Sequence, residues 1–245
     1  MAGKNDSGGS GADRYQVTTT TTRTPPKSTP ATRVAVIVAE VAAPAVLVTA
    51  LLALIAWHDA PDPAHALLWG AVSILFGTVI PMAFIFHGVR QRRWSGHHVP
   101  ERSKRMAPML FGCASVSAGC FLLAVLGAPR NLVTVYAAII VEALILTVIT
   151  KFWKISGHVA AAASCATVVL FVFGPAFVFG WLLVPVVAWA RVQARTARLA
   201  EGPAEGQDLA ADHDELDGHT PAQAVAGAVV AAVTVTAAYL LVGAR

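Results

Sequence analysis

The sequence predicts an all-α polytopic transmembrane helical bundle of about seven spans, and three observations carry that prediction. Of 245 residues, 56% are hydrophobic and 13% charged, with a mean hydropathy of +0.63, far from the balance of a soluble domain. The charged residues cluster in short polar segments, leaving stretches of about 20 residues with one charge or none, enough to cross roughly 30 Å of hydrocarbon. Those stretches are separated by turns rich in Pro, Gly, Asp and His. A soluble enzyme with an ordinary core is excluded. Cys113, Cys120 and Cys165 lie in apolar stretches without metal-ligand spacing and read as small packing residues.

Residues 1–32 are rich in Gly, Ser, Thr and Pro, with threonines from Thr18 to Thr22, a composition that buries too little apolar area to order itself and reads as a disordered tail. It is too long and polar before the first apolar run for a cleaved signal peptide, so the first span is expected to be an uncleaved anchor. The transmembrane domain then covers 33–243. Span one runs from Val34 to Trp57 and span two from Ala66 to His87, joined by a turn holding His58, Asp59, Asp62 and His65, with Trp57 and Trp69 suited to an interfacial belt. A basic loop leads to span three, Pro108 to Leu126, and Ala128 to Asn131 turns the chain into span four, Leu132 to Thr150. The apolar stretch His158 to Ala190 is too long for one span and divides at Gly174-Pro175 into two of about 16 residues. An acidic segment, 192–218, holds seven of the fourteen Asp and Glu and reads as a flexible loop before the last span, Thr220 to Val242.

With this topology 16 of the 18 Lys and Arg fall on one side, and only Arg130 and Arg245 lie opposite. The positive-inside rule makes that side cytoplasmic, with the N-terminus there and the plasma membrane as the expected location. The net charge of +4 thus reports orientation rather than a nucleic-acid partner.

Chemistry is expected where the polar segments meet span ends on that side. Lys151-x-x-Lys154-Ile155-Ser156-Gly157-His158 sets a Ser-Gly pair at a helix start, where free N–H groups and the positive dipole end face an anion, and His158 in the first turn could move a proton. Capping accounts for Ser156 equally well. Trp189-Ala190-Arg191 closes one span and Gly218-His219-Thr220-Pro221-Ala222-Gln223 opens the last. Thr220-x-x-Gln223 with Pro221 between reads as a capping box. Glu142, mid-span, is either a hydrogen bond between helices or part of a polar path.

On these residues the chain resembles the type 2 phosphatidic acid phosphatase superfamily, membrane lipid phosphatases related in fold to vanadium haloperoxidases, over roughly residues 90–240. Ser156, Gly157 and His158 match the second motif, with Ile155 where the family has Pro; Arg191 matches the arginine of the third, with Ala190 in place of Ser. His219 is similar to the nucleophilic histidine, although the acidic segment stands between it and Arg191, and Gln223 replaces the orienting Asp. Arg105 is the candidate first-motif arginine, followed by Met106 rather than Pro, with Lys104 as a further phosphate contact; headgroup binding by that basic cluster is an equal alternative.

The resemblance implies a six-helix phosphatase core plus one span and a lipid phosphate or diphosphate as substrate. It implies that His219 attacks phosphorus to form a phosphohistidine while His158 protonates the departing alcohol, then activates water. Arg191, Arg105, Ser156 and the N–H groups near Gly157 would hold the phosphate oxygens, with Gln223 and Lys104 supporting. No metal or cofactor enters, and the bilayer is the only other partner expected. The alternatives are a degenerate member that binds lipid phosphate or a partner without turnover, and a transporter using Glu142 and the break at Gly174.

Overall fold

A computed structural model describes residues 29–94, 104, 106–201 and 218–243; the expected disorder of the tail and Arg105 lie outside the described residues. The chain is all-helical, with no strand among the described residues. The elements are α1 (Pro30–Val41), α2 (Pro44–Asp59), α3 (Pro63–Ile74), a π turn (Leu75–Val79), α4 (Ile80–Arg90), α5 (Met106–Val125), α6 (Arg130–Phe152), α7 (Gly157–Phe173), a 3-10 segment (Pro175–Leu182), α8 (Leu183–Glu201) and α9 (Pro221–Gly243).

Five helices are long and apolar enough to cross a membrane, and a sixth span is obtained if the bent pair α1–α2 counts as one. These are the features of a multi-pass membrane protein, in which only helices satisfy every backbone group within the segment. Two features correct the sequence reading, and a third, the short α7, agrees with the division at Gly174 but leaves five to six long candidate spans rather than about seven. The first span is not straight: α1 and α2 meet at 45°, because Pro44 has no N–H to continue the ladder and pushes the residue before it out of the helical region. The segment at His158 forms α7, whose 17 residues are apolar but short for a span. Finally, α8 continues to Glu201, so the acidic loop does not begin at 192; Arg191-Val192-Gln193-Ala194-Arg195 contains no helix breaker, and propensity carries the helix on.

The ends of the segments interlock. Asn131 Nδ2 donates to Asp59 Oδ2 at 3.0 Å, Trp69 Nε1 donates to the Leu126 carbonyl at 3.3 Å, and the His58 ring meets Phe173 edge-on at 4.6 Å. The α2–α3 turn, the α5–α6 turn and the end of α7 therefore share one end of the bundle. The starts of α2, α5, α7 and α9 lie at the other, so the apolar segments alternate in direction. The chain reverses at Gly174, whose φ of 94° suits glycine.

Two apolar clusters fill the bundle. Around Tyr136, fully buried with its hydroxyl donating to the Ser73 carbonyl, Leu52, Ile55, Leu123 and Val135 form one core. Pro81 gives no N–H to the preceding turn, and the ladder there relaxes into the π turn; Ser115 Oγ donates to the Phe76 carbonyl of that turn at 2.7 Å. The second cluster is built on small residues, Ala160, Ala163, Ala224 and Ala231, which let α7 and α9 approach closely. A Cβ on Gly227 would stand 2.6 Å from the Ser156 carbonyl oxygen. Glu142, buried in α6, accepts from Ser164 Oγ of α7, which is the helix-to-helix hydrogen bond that was one of its two readings.

Asp62 caps α3, accepting from the His65 N–H at 3.0 Å and pairing with the His65 ring at 2.7 Å. The backbone hydrogen bond from His65, then its side chain, holds the Asp62 carboxyl below the ordinary value. A depressed folded pKa contributes stability that is present above the unfolded value, about 3.9, and is lost as pH falls through the folded one. Thermal unfolding of Asp62→Ala should therefore lie below that of the parent at pH 7 and converge with it near pH 3. An offset that persists at pH 3 would contradict this account.

Candidate functional site

At the end where α2, α5, α7 and α9 start, a cavity of about 280 Å³ opens in the bundle. Its wall includes Gly157 and His158 of α7, Arg191 of α8 and His219 just before α9, together with Thr150 at the end of α6. The structure thus brings together four residues singled out in the sequence, across a separation of 62 positions. This placement depends on the reversal at Gly174: with a single crossing from 158 to 190, His158 and Arg191 would lie at opposite ends.

Local structure fixes each of the four. Ser156 is the N-cap of α7, its Oγ accepting from the Val159 N–H at 3.5 Å, so His158 occupies the first turn of the helix. The Ser156 N–H donates to the Gln223 carbonyl at 3.2 Å, and the His219 N–H donates to the Arg191 carbonyl at 3.0 Å. The start of α9 is thereby tied both to the start of α7 and to α8. Gly218 makes the second tie possible: its φ is 94°, and a Cβ there would lie 2.4 Å from the Arg195 nitrogen and 2.6 Å from the Arg191 oxygen. Gly157, by contrast, has no atom of the described residues beyond its own helical turn within 4 Å of the position its Cβ would take.

His158, Arg191 and His219 are each at most 6% exposed. Burying a guanidinium and two imidazoles at one point is costly unless the group has charged or polar company. The backbone adds to the positive potential. Ala43, Pro44 and Ala45 at the start of α2, and Pro108 and Met109 in the first turn of α5, line the same cavity. The starts of α2, α5 and α7 border the cavity, and the positive ends of their dipoles face it.

The other candidates fall elsewhere. Ser156 is fully buried but lies behind the wall, occupied in capping. Gln223 is 5% exposed, and its Oε1 accepts from the Thr220 N–H at 2.9 Å while its own N–H donates to Thr220 Oγ1 at 3.3 Å; it is a capping-box residue that orders the helix start behind His219. Lys104 is exposed and not in the wall, and Arg105 lies outside the described residues. Among the described residues no group of three metal-ligating side chains occurs. Two residues escaped sequence reasoning. Thr150 lines the cavity, and Lys154 is 1% exposed between the helix end and Ser156. The Lys151-x-x-Lys154 spacing marks a basic pair but not which lysine turns inward.

Replacing Gln223 by Ala removes one half of the capping box. Such a loss costs about 1 kcal/mol, so the unfolding midpoint of Gln223→Ala should fall by a few degrees while Gln223→Glu, which keeps the acceptor, holds it. Equal losses in both variants would show that the bond to Thr220 does not order the helix start.

Comparison with models of known protein families, with curated proteins and with solved structures finds no match. The chemical content of the site therefore rests on its own geometry: two imidazoles and a guanidinium in the wall of one cavity at the starts of three helices, a combination suited to an anion.

Proposed function

We propose that this protein is a metal-independent membrane phosphatase that hydrolyses a lipid phosphate or diphosphate through a phosphohistidine intermediate. The observation that carries the reading is the placement of His158, Arg191 and His219 in the wall of one cavity bordered by the starts of α2, α5 and α7. In this mechanism neutral His219 attacks phosphorus, the P–O bond to the alcohol breaks, and His158 delivers the proton that the leaving oxygen needs. A water then gives its proton to His158, attacks the phosphohistidine and releases inorganic phosphate, restoring both imidazoles. Arg191 and the first-turn amides neutralise the equatorial oxygens, where charge accumulates.

The resemblance to the type 2 phosphatidic acid phosphatases supports the same assignment, with seven spans made by the five long helices, the bent pair and α7. Arg33, Arg90, Arg92, Arg93, Lys151 and Lys154 belong to the end that holds the cavity and Arg130 to the other, which favours a site on the cytoplasmic face of the plasma membrane. Gln223, committed to capping, supplies no carboxylate to stabilise an imidazolium at His219, and favours slow turnover or, as a second reading, binding of a lipid phosphate without hydrolysis.

The test is phosphate release from lipid phosphates by the purified protein with chelator present. Wild type should release phosphate, and Arg191→Ala should lose about a hundredfold or more in kcat/KM, the worth of a charge-assisted transition-state contact. Release that requires a divalent cation, or that survives Arg191→Ala, would contradict the proposal.

A further inference from the structure

The end of α4 is built around an unusual residue. The helix closes in a Schellman turn, the Arg92 N–H donating to the Val89 carbonyl and the Arg93 N–H to the Gly88 carbonyl, each at 2.9 Å. The residue just past the cap of such a turn is left-handed and is usually glycine. Here it is Arg92, with φ 56°, the one non-glycine residue of positive φ among the described residues. Trp94 locks the turn. Its indole N–H donates to the Ile85 carbonyl at 3.0 Å, and its ring, 7% exposed, lies so close to Gly88 that a Cβ there would stand 1.9 Å away.

Arg90, Arg92 and Arg93 are all exposed, and among the described residues no carboxylate pairs with any of them. Orientation in the bilayer and the negative end of the helix dipole both favour basic residues here, but lysine at an unstrained position serves both. Neither accounts for three guanidinium groups, or for a long side chain where glycine fits the backbone. An arginine held against its own backbone preference points to a role for its side chain. The face of α4 below it indicates the partner. Val79, Ala83, Phe86 and Arg90 follow one another at helical spacing and are all exposed, an apolar track that ends at a guanidinium. An acyl chain lying along that track brings its headgroup phosphate to three forked donors.

We propose that Arg90, Arg92 and Arg93 form a binding site for the headgroup phosphate of an anionic phospholipid of the surrounding bilayer, separate from the cavity and independent of the hydrolase reading. The test is titration of the full-length protein, delipidated in neutral detergent, with dioleoyl phosphatidylglycerol or dioleoyl phosphatidylcholine, bound lipid being counted from the mass of the intact complex. Wild type should bind phosphatidylglycerol at least about tenfold more tightly than phosphatidylcholine. Replacing all three arginines by glutamine should weaken phosphatidylglycerol binding about a hundredfold, the worth of three basic residues at an anionic surface. Replacing them by lysine, which keeps the charge without the fork, should lose part of it. Arg92→Gly separates structure from binding in one residue: affinity should fall about fivefold, while the unfolding midpoint should not fall, since glycine suits the left-handed position.

Equal binding of the two lipids, or phosphatidylglycerol binding undiminished in the glutamine or the lysine variant, overturns the proposal. Glycerol 3-phosphate binding as tightly as the lipid would mark a site for free anions and overturns it as well. A lowered midpoint in Arg92→Gly with binding intact would make Arg92 a residue of the cap alone, with the same consequence.

Discussion

On the proposed mechanism, purified His219→Ala protein should release phosphate from lipid phosphates at least about a thousandfold more slowly than wild type, because loss of the proposed nucleophile removes the covalent route entirely. The substitution is well suited to the test. His219 precedes α9 rather than belonging to it, and its backbone N–H, which anchors the segment to the Arg191 carbonyl at 3.0 Å, is retained in alanine. The fold should therefore survive, as an unfolding midpoint close to that of wild type would show. His158→Ala should lose about a hundred to ten thousandfold, the usual range for a general acid, and should lose less with an activated ester whose leaving group needs no proton. Wild-type rates in either variant would remove that histidine from the chemistry.

Gly218→Ala should damage both stability and activity. The residue sits at φ 94°, and the added Cβ would meet the Arg195 nitrogen at 2.4 Å and the Arg191 oxygen at 2.6 Å, all backbone atoms of α8 that cannot swing aside. A left-handed strain of about 1–3 kcal/mol would be relieved by lifting His219 off α8, and displacement of a reacting group by about 1 Å can cost roughly a hundredfold in rate. Gly157→Ala provides the contrast, since among the described residues nothing beyond its own helical turn stands within 4 Å of its Cβ position; its unfolding midpoint should stay near that of wild type. If Gly218→Ala were as well tolerated, the tie between His219 and α8 would not position the site.

The helices were legible in the sequence because each apolar run ends at charged residues or at Gly and Pro. The bend between α1 and α2 and the extension of α8 to Glu201 were not read, although Pro44 and the absence of any breaker between Arg191 and Glu201 carry the signal for each. Half of the proposed site was readable for a topological reason: alternating spans return Gly157, His158, Arg191 and His219 to the same end, so separated polar residues at span ends become neighbours. What could not be read was which polar side chains turn inward. Ser156 and Gln223 have the residue types of a phosphate site, yet both are occupied as caps, a competition that depends on backbone geometry rather than on sequence spacing. Lys154 lies three positions after Lys151 but only its burial distinguishes it, and burial is set by helices distant in the chain.

The most direct measurement is a search for the covalent intermediate. Protein incubated with a lipid phosphate labelled in its phosphoryl group, then denatured, should carry a label that is stable in alkali and lost in acid, as a phosphoramidate is. The label should map to His219 and be absent from His219→Ala. Turnover of the lipid with no label on the protein under single-turnover conditions, or label on another residue, would contradict the account.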